Sequence, residues 1–147
     1  MSTASAPLKL EKLTGTGRSA AVAISPDGKF LAYTQDINKE SGPGIWLRQL
    51  ATNTNVEIVP PTGPVFGLAF ANSGEYLYFV RGDSVAMHRV SLLGGVPAKI
   101  VDNLTGKFSI SSDDSQIAFV RRVTNPDGRV EDSLIIARSL SADMPYR

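Results

Sequence analysis

The chain has 147 residues, enough for one compact domain, with 42% hydrophobic and 20% charged residues, the balance of an ordinary folded protein. Lys and Arg number 15 against 14 Asp and Glu, a formal charge of +1, which argues against the basic field that neutralises nucleic-acid phosphates or docks on anionic lipid. The absence of cysteine removes disulfides, thiol nucleophiles and thiolate zinc sites together.

Residues 1–7 are small and polar with one proline, and are expected to form a flexible lead-in. The opening "MSTASAPLKLEKL" has no basic start followed by an apolar core, so no secretory signal is expected in it. No apolar run approaches the roughly 18 residues that would read as a membrane span. From Leu8 the pattern turns to strands. The turn in "AISPDGKFLAYT" from Ala23 recurs in "AFANSGEYLYFV" from Ala69 and in "SISSDDSQIAFV" from Ser109. An apolar residue precedes each copy, at Ile24, Phe70 and Ile110, giving spacings of 46 (24 to 70) and 40 (70 to 110) residues. A strand-turn-strand unit repeating at that period is the signature of propeller blades rather than of helical solenoids.

Each repeat divides into four strands. The inner strand a is "AAVAI", "FGLAF" or "KFSI". Strand b is "KFLAYT", "EYLYFV" or "QIAFVR", and strand c is "IWLRQL", "VAMHRV" or "SLIIAR". The outer strand d comes before the next a: "LKLEKL", "NVEIV" and "PAKIVD" precede the turns "TGTG", "PPTG" and "NLTG". The reading is all-β: an outer strand at 8–14, then blades at about 20–60, 66–102 and 107–140 within a three-blade unit spanning 8–147. Runs such as "YLYFV" are apolar on both sides, as a sheet stacked between two others requires.

Turn chemistry supports each hairpin. In "SPDG", Pro26 presets φ, Asp27 bonds the backbone ahead and Gly28 takes positive φ. Gly74 holds the same place in the second copy, and Asp114, a residue type that tolerates the left-handed region, in the third. The second copy lacks the Pro and Asp, and the third lacks the Pro and Gly, so both turns are expected to be less rigid than the first.

The "ISPDGK-apolar-AY" hairpin, the Trp of "IWLRQL" and the "LLGGVPAKI" turn resemble the TolB-type propeller repeats over roughly residues 8–140. The resemblance implies a binding scaffold, often six- or seven-bladed. Relatives occur as sensor regions of bacterial serine/threonine kinases and winged-helix regulators, and as propeller domains of prolyl oligopeptidase-like hydrolases.

Propellers ordinarily close with four to eight blades, and three blades leave two apolar sheet faces and an edge open. The order begins with a d strand and reaches "ARSLSADMPYR" where the third repeat needs one. A twofold homodimer making a six-bladed ring, with "LKLEKL" of each chain completing the third blade of the other, is therefore expected. The partner expected is a second copy, with a protein or small ligand on one ring face, and neither nucleic acid nor membrane.

No catalytic, cofactor-binding or metal residue is assigned, and no cofactor is expected. His88 in "VAMHRV" is the only histidine, without a G-x-S-x-G elbow, so it reads as packed rather than as a general base. Gly15 and Gly17 in "TGTGRS" lack the Lys and the helix of a phosphate loop and read as a turn. "RGD" at Arg81–Asp83 sits at a hairpin tip and reads as turn chemistry rather than an adhesion motif. "RRVTNPDGRVED", Arg121–Asp132, reads as a solvated connection between strands b and c without calcium-loop spacing. Trp46, Tyr33, Tyr76 and Tyr78 read as packing between blades.

Overall fold

A computed structural model describes residues 6–15, 17–37, 40–82 and 85–138. Residues 1–5 of the expected lead-in, Asp83 of "RGD" and the expected end of the third blade beyond Arg138 lie outside them. Among the described residues there are eleven strands and no helix. Blade one is β1 (Val22–Ile24), β2 (Phe30–Gln35), β3 (Gly44–Gln49) and β4 (Thr54–Val59). Blade two is β5 (Val65–Phe70), β6 (Tyr76–Arg81), β7 (Ala86–Ser91) and β8 (Ala98–Val101). Blade three has three strands, β9 (Leu104–Ile110), β10 (Gln116–Thr124) and β11 (Val130–Arg138). Every pairing is antiparallel between neighbours in sequence.

Sheet stacking follows from strand alternation. In β6, Leu77 and Phe79 point one way and pack with Ala32, Ile45, Leu47 and Val59 of blade one. Tyr78 and Val80 point the other way and pack with Leu104, Ile117, Phe119 and Ala137 of blade three. All four are at most 2% exposed. At about 1.5–3 kcal/mol for each fully buried large apolar side chain, this strand alone ties three sheets together.

Residues 6–14 carry no strand within one chain, and the strand expected at 8–14 is one that pairs with a second copy. Two expectations change. The turn read in "NLTG" is shorter, since Leu104 already begins β9 and only Asp102–Asn103 intervene, with Asn103 at φ 58°. The charged connection Arg121–Asp132 is mostly strand. β10 and β11 pair without interruption from Gln116↔Arg138 to Thr124↔Val130, and the turn between them is closed by Gly128 N–H to Asn125 C=O at 2.9 Å.

The third a-to-b turn is also more tightly bonded than the loss of Pro and Gly suggested. Ser111 Oγ donates to Asp113 Oδ1 at 2.7 Å and accepts from Gln116 N–H at 3.0 Å. Ser25 and Asp27 make the same pair of bonds in the first turn, with Phe30 N–H as the last donor. Asp114, at φ 61°, then bridges to blade two, accepting the N–H groups of Asn72 at 2.7 Å and Ser73 at 2.8 Å.

The hydroxyls of Ser111 and Ser115, the largest causes, hold the Asp113 carboxyl down at about 2, below its ordinary 3.8. A depressed carboxyl stabilises the fold in its charged form, so the contribution is complete above 3.8 and lost as pH falls towards about 2. Asp113→Asn is expected to lower the melting temperature at pH 7 and to flatten the fall in stability below pH 3.8. Thermal melts across that range check it, and identical acid-side slopes in the two proteins would refute it.

Candidate interaction faces

The repeat gives every blade two faces with different residues. Towards the preceding blade it presents Leu77 and Phe79 in blade two and Ile117 and Phe119 in blade three, each at most 2% exposed. Their equivalents in blade one are Leu31 and Tyr33. Towards the following blade it presents Ala32, Thr34 and Ile45 in blade one, and Tyr78, Val80 and Met87 in blade two. Their equivalents in blade three are Ala118, Val120 and Leu134, because Leu134 pairs with Val120 as Ile45 pairs with Thr34 and Met87 with Val80.

The two end faces are apolar and open. Leu134 is 80% exposed where Ile45 is 1% and Met87 0%. Ile24 is 61% exposed where its equivalent Phe70 is 7%. Val22 and Ile136 extend the two patches. Blade one thus displays the face that blades two and three turn towards a preceding blade, and blade three the face that blades one and two turn towards a following one.

The residues before blade one already lie on its open side. Arg48, beside Leu31 on that face, donates from Nη1 to the C=O of Leu13 at 2.6 Å and from Nη2 to Asn53 Oδ1 at 2.7 Å. Seven residues before each of Ile24, Phe70 and Ile110, the backbone takes positive φ, at Gly17 (69°), Gly63 (126°) and Asn103 (58°). Asp36 N–H bonds to Arg18 C=O as Gly82 N–H bonds to Pro64 C=O, at 3.2 and 3.3 Å. The chain therefore enters blade one by the path that elsewhere leads in from a d strand. Leu8 and Leu10, both 91% exposed, extend outward from it.

The residues weighed for chemistry are not assembled into a site. His88 stacks on Phe79 at 5.5 Å, with Nδ1 3.2 Å from Ala86 C=O, inside blade two. Arg81 lies 5.3 Å from the same ring, so two residues of the Phe79 face carry its polar trim. Tyr33 and Tyr78 are buried, Tyr33 bonding Asn55 through its hydroxyl at 2.9 Å. Tyr76 lies under the Arg89 guanidinium at 4.4 Å. Trp46 is half-buried on the open face of blade one. Among the described residues no three His, Cys, Asp or Glu side chains gather as a metal site requires, and no helix is long and apolar enough to cross a membrane. A cleft of about 430 Å³ runs along the inner strands between Val22, Phe66, Gly67, Lys107 and Phe108. The Asp114 bridge escaped sequence reasoning because it joins residues 41 and 42 positions apart with no local pattern to mark it.

No family model and no curated protein matches the chain. Solved structures do. TolB from Acinetobacter baumannii superposes with a TM-score of 0.65 at 23% identity, over 90% of this chain and 36% of that one. Tricorn protease gives 0.70 at 19%, over 87% of this chain and 13% of its own. A putative TolB from Agrobacterium tumefaciens gives 0.65 at 19%, over 86% and 53%. These likenesses show the fold, a TolB-like β-propeller, of which this chain spans a part of each neighbour's length.

Burial, the largest cause, and then the nearby Arg81 charge push the His88 imidazole below its ordinary 6.5. The fold thus favours neutral His88, and its contribution is complete above pH 6.5 and declines as the pH falls below that. A proton NMR titration of this single imidazole is expected to give a midpoint under 6.5, and a midpoint at or above 6.5 would contradict the packing described.

Proposed function

We propose that the chain is a non-catalytic β-propeller scaffold that completes its ring with a second copy of itself, exchanging the segment 8–13 between chains, and that one face of the closed ring binds a protein or small ligand. The observation that carries this reading is Leu134, 80% exposed at a position that both other blades bury almost completely. The end faces are not alike but complementary. Blade three offers what blade two offers to blade three, and blade one offers what blade two offers to blade one. Two copies related by a twofold axis use each face once and leave none in water.

Size supports the same arrangement. Each junction buries an apolar sheet face, and a twofold ring makes two new junctions at once. An exposed apolar patch of this kind is an association surface or an aggregation hazard. Closure also pairs the outer edge of β11, which no other described strand covers, and so keeps it from templating further pairing.

A second reading is favoured by chain length: the neighbours are longer, and tricorn protease is an enzyme of which this chain spans 13%. On that reading the remaining blades belong to a larger polypeptide, such as a hydrolase or a kinase sensor, and the scaffold serves that protein.

Light scattering after gel filtration separates the two. At about 10 µM the first reading predicts twice the chain mass. Leu134→Arg is expected to weaken assembly by at least about 10-fold, since a buried leucine is worth about 1.5–3 kcal/mol and the arginine adds a desolvation cost. Leu93→Arg, at a fully exposed turn position, is expected to leave the mass unchanged. A folded monomer at every concentration would reject self-assembly in favour of the second reading.

A further inference from the structure

Both complete blades interrupt their outer pairing at the same place. β3 and β4 pair Ile45 with Val59 and then Trp46 with Glu57, so Ile58 is an extra residue. β7 and β8 pair Met87 with Val101 and then His88 with Lys99, so Ile100 is the extra residue. Each is a β-bulge, which bends the outer strand and pins its register. The sequence around it also repeats. Val56-Glu57-Ile58-Val59 and Ala98-Lys99-Ile100-Val101 both read apolar, charged, bulge, apolar. Leu10-Glu11-Lys12-Leu13 reads the same way. Leu13 stands 11 residues before Ile24 as Val59 stands 11 before Phe70, and its carbonyl is already held by Arg48 on blade one.

We propose that residues 8–13 complete blade three of a second copy in one fixed register on β11, with Leu13 opposite Leu134, Lys12 in the bulge, Glu11 opposite Ile135, Leu10 opposite Ile136 and Leu8 opposite Arg138. This rests on the ring-closure reading above and deepens it. Leu134 stands at the position of Ile45 and Met87, so its opposite residue is the equivalent of Val59 and Val101, which is Leu13. The bulge then shifts the following pairs by one, as in both complete blades. Leu8, Leu10 and Leu13 fall on the same side as Leu134 and Ile136, the face that meets blade one of the other chain. Lys9 and Glu11 fall on the opposite side, where Asn55, Glu57 and Lys99 stand in the complete blades. A slip of one residue would reverse every side chain, turning Lys9 and Glu11 into the apolar junction.

The register explains the exposure of Leu134, 80% in a single chain: opposite Leu13 it takes the place of Ile45 opposite Val59 and of Met87 opposite Val101, all at most 4% exposed. Leu10 takes the place of Val56, which is 51% exposed in its complete blade, at the rim of the seam. Lys12 departs from the pattern, since Ile58 and Ile100 at the same place pack against the two cores.

Because the chain has no cysteine, paired cysteine substitutions report the register directly. Residues facing each other in an antiparallel pair lie about 4.5–5.5 Å apart at Cα, within the span of a disulfide, whereas a one-residue slip adds roughly 3.3 Å and turns the side chain to the other face. The full-length Leu10→Cys/Ile136→Cys protein, and separately Leu13→Cys/Leu134→Cys, are incubated with oxidised glutathione and followed on non-reducing gels. Both are expected to form covalent dimers. The out-of-register proteins Lys9→Cys/Ile136→Cys and Leu10→Cys/Ile135→Cys are expected to cross-link at least about 10-fold more slowly, since their sulfurs face opposite sides of the sheet. Equal rates for all four, or faster linkage of the out-of-register pairs, in a protein whose unmodified form is a dimer would overturn the register while leaving ring closure intact. A monomeric unmodified protein would overturn both.

Discussion

Everything in the molecule depends on sheets that are apolar on both faces. A sheet with one wet side is finished when that side meets a core. A sheet like β5–β8 is finished only when neighbours cover it front and back, and β6 shows the demand in its barest form. Leu77, Tyr78, Phe79 and Val80 alternate between blade one and blade three, and none is more than 2% exposed. Once the repeating unit has this character, the array cannot end without leaving a face unsatisfied, and the only termination free of that cost is a circle.

On the proposed reading, that constraint makes the two end faces of the array its association surfaces. Neither end resembles a capping repeat with a polar outer face, the device that linear arrays use to stop. Val22, Ile24 and Leu31 at one end, and Val120, Leu134 and Ile136 at the other, repeat the residue types used at the two internal junctions. The ends are heterologous, which suits closure about an axis and is incompatible with a simple face-to-face pairing of like with like. One internal junction, between blades two and three, also carries a fitting that the ends do not share. The Asp114 carboxylate clamps the turn of blade two through two backbone N–H groups, and the equivalent position in blade one is Gly28, which has no side chain to reach a preceding turn. In the proposed ring the closing junction would therefore rely more heavily on its apolar seam than the blade two to blade three junction does.

Much of this was legible from residues. The b strands were clear because "YLYFV" and "IAFV" are apolar at every position, which only a doubly covered strand tolerates, and the turns because Gly28, Gly74 and Asp114 fall at one repeat position. His88 read as packed because no catalytic companion accompanies it, and its stacking on Phe79 across the strand pair appears only in the structure. Other features were hidden for physical reasons. The extended β10–β11 hairpin was taken for a loop because its arginines and acids mask a plain alternation, in which Val123 and Val130 mark the continuing pleat. The bulges at Ile58 and Ile100 leave no composition signal, since an extra residue in one strand is visible only against its partner. The segment 8–13 reads as a strand yet is not one within a single chain, because a strand is a property of a pair and its partner edge is not beside it.

Amide hydrogen exchange along β11, followed as protein concentration is varied, tests the central claim most directly. Half of its N–H groups turn away from β10, where an added strand would protect them. The account predicts that these amides are protected at high concentration and lose that protection on dilution, while β6 stays protected throughout. Exchange of the outward β11 amides at the rate of unstructured chain at every concentration, with β6 still protected, would contradict it.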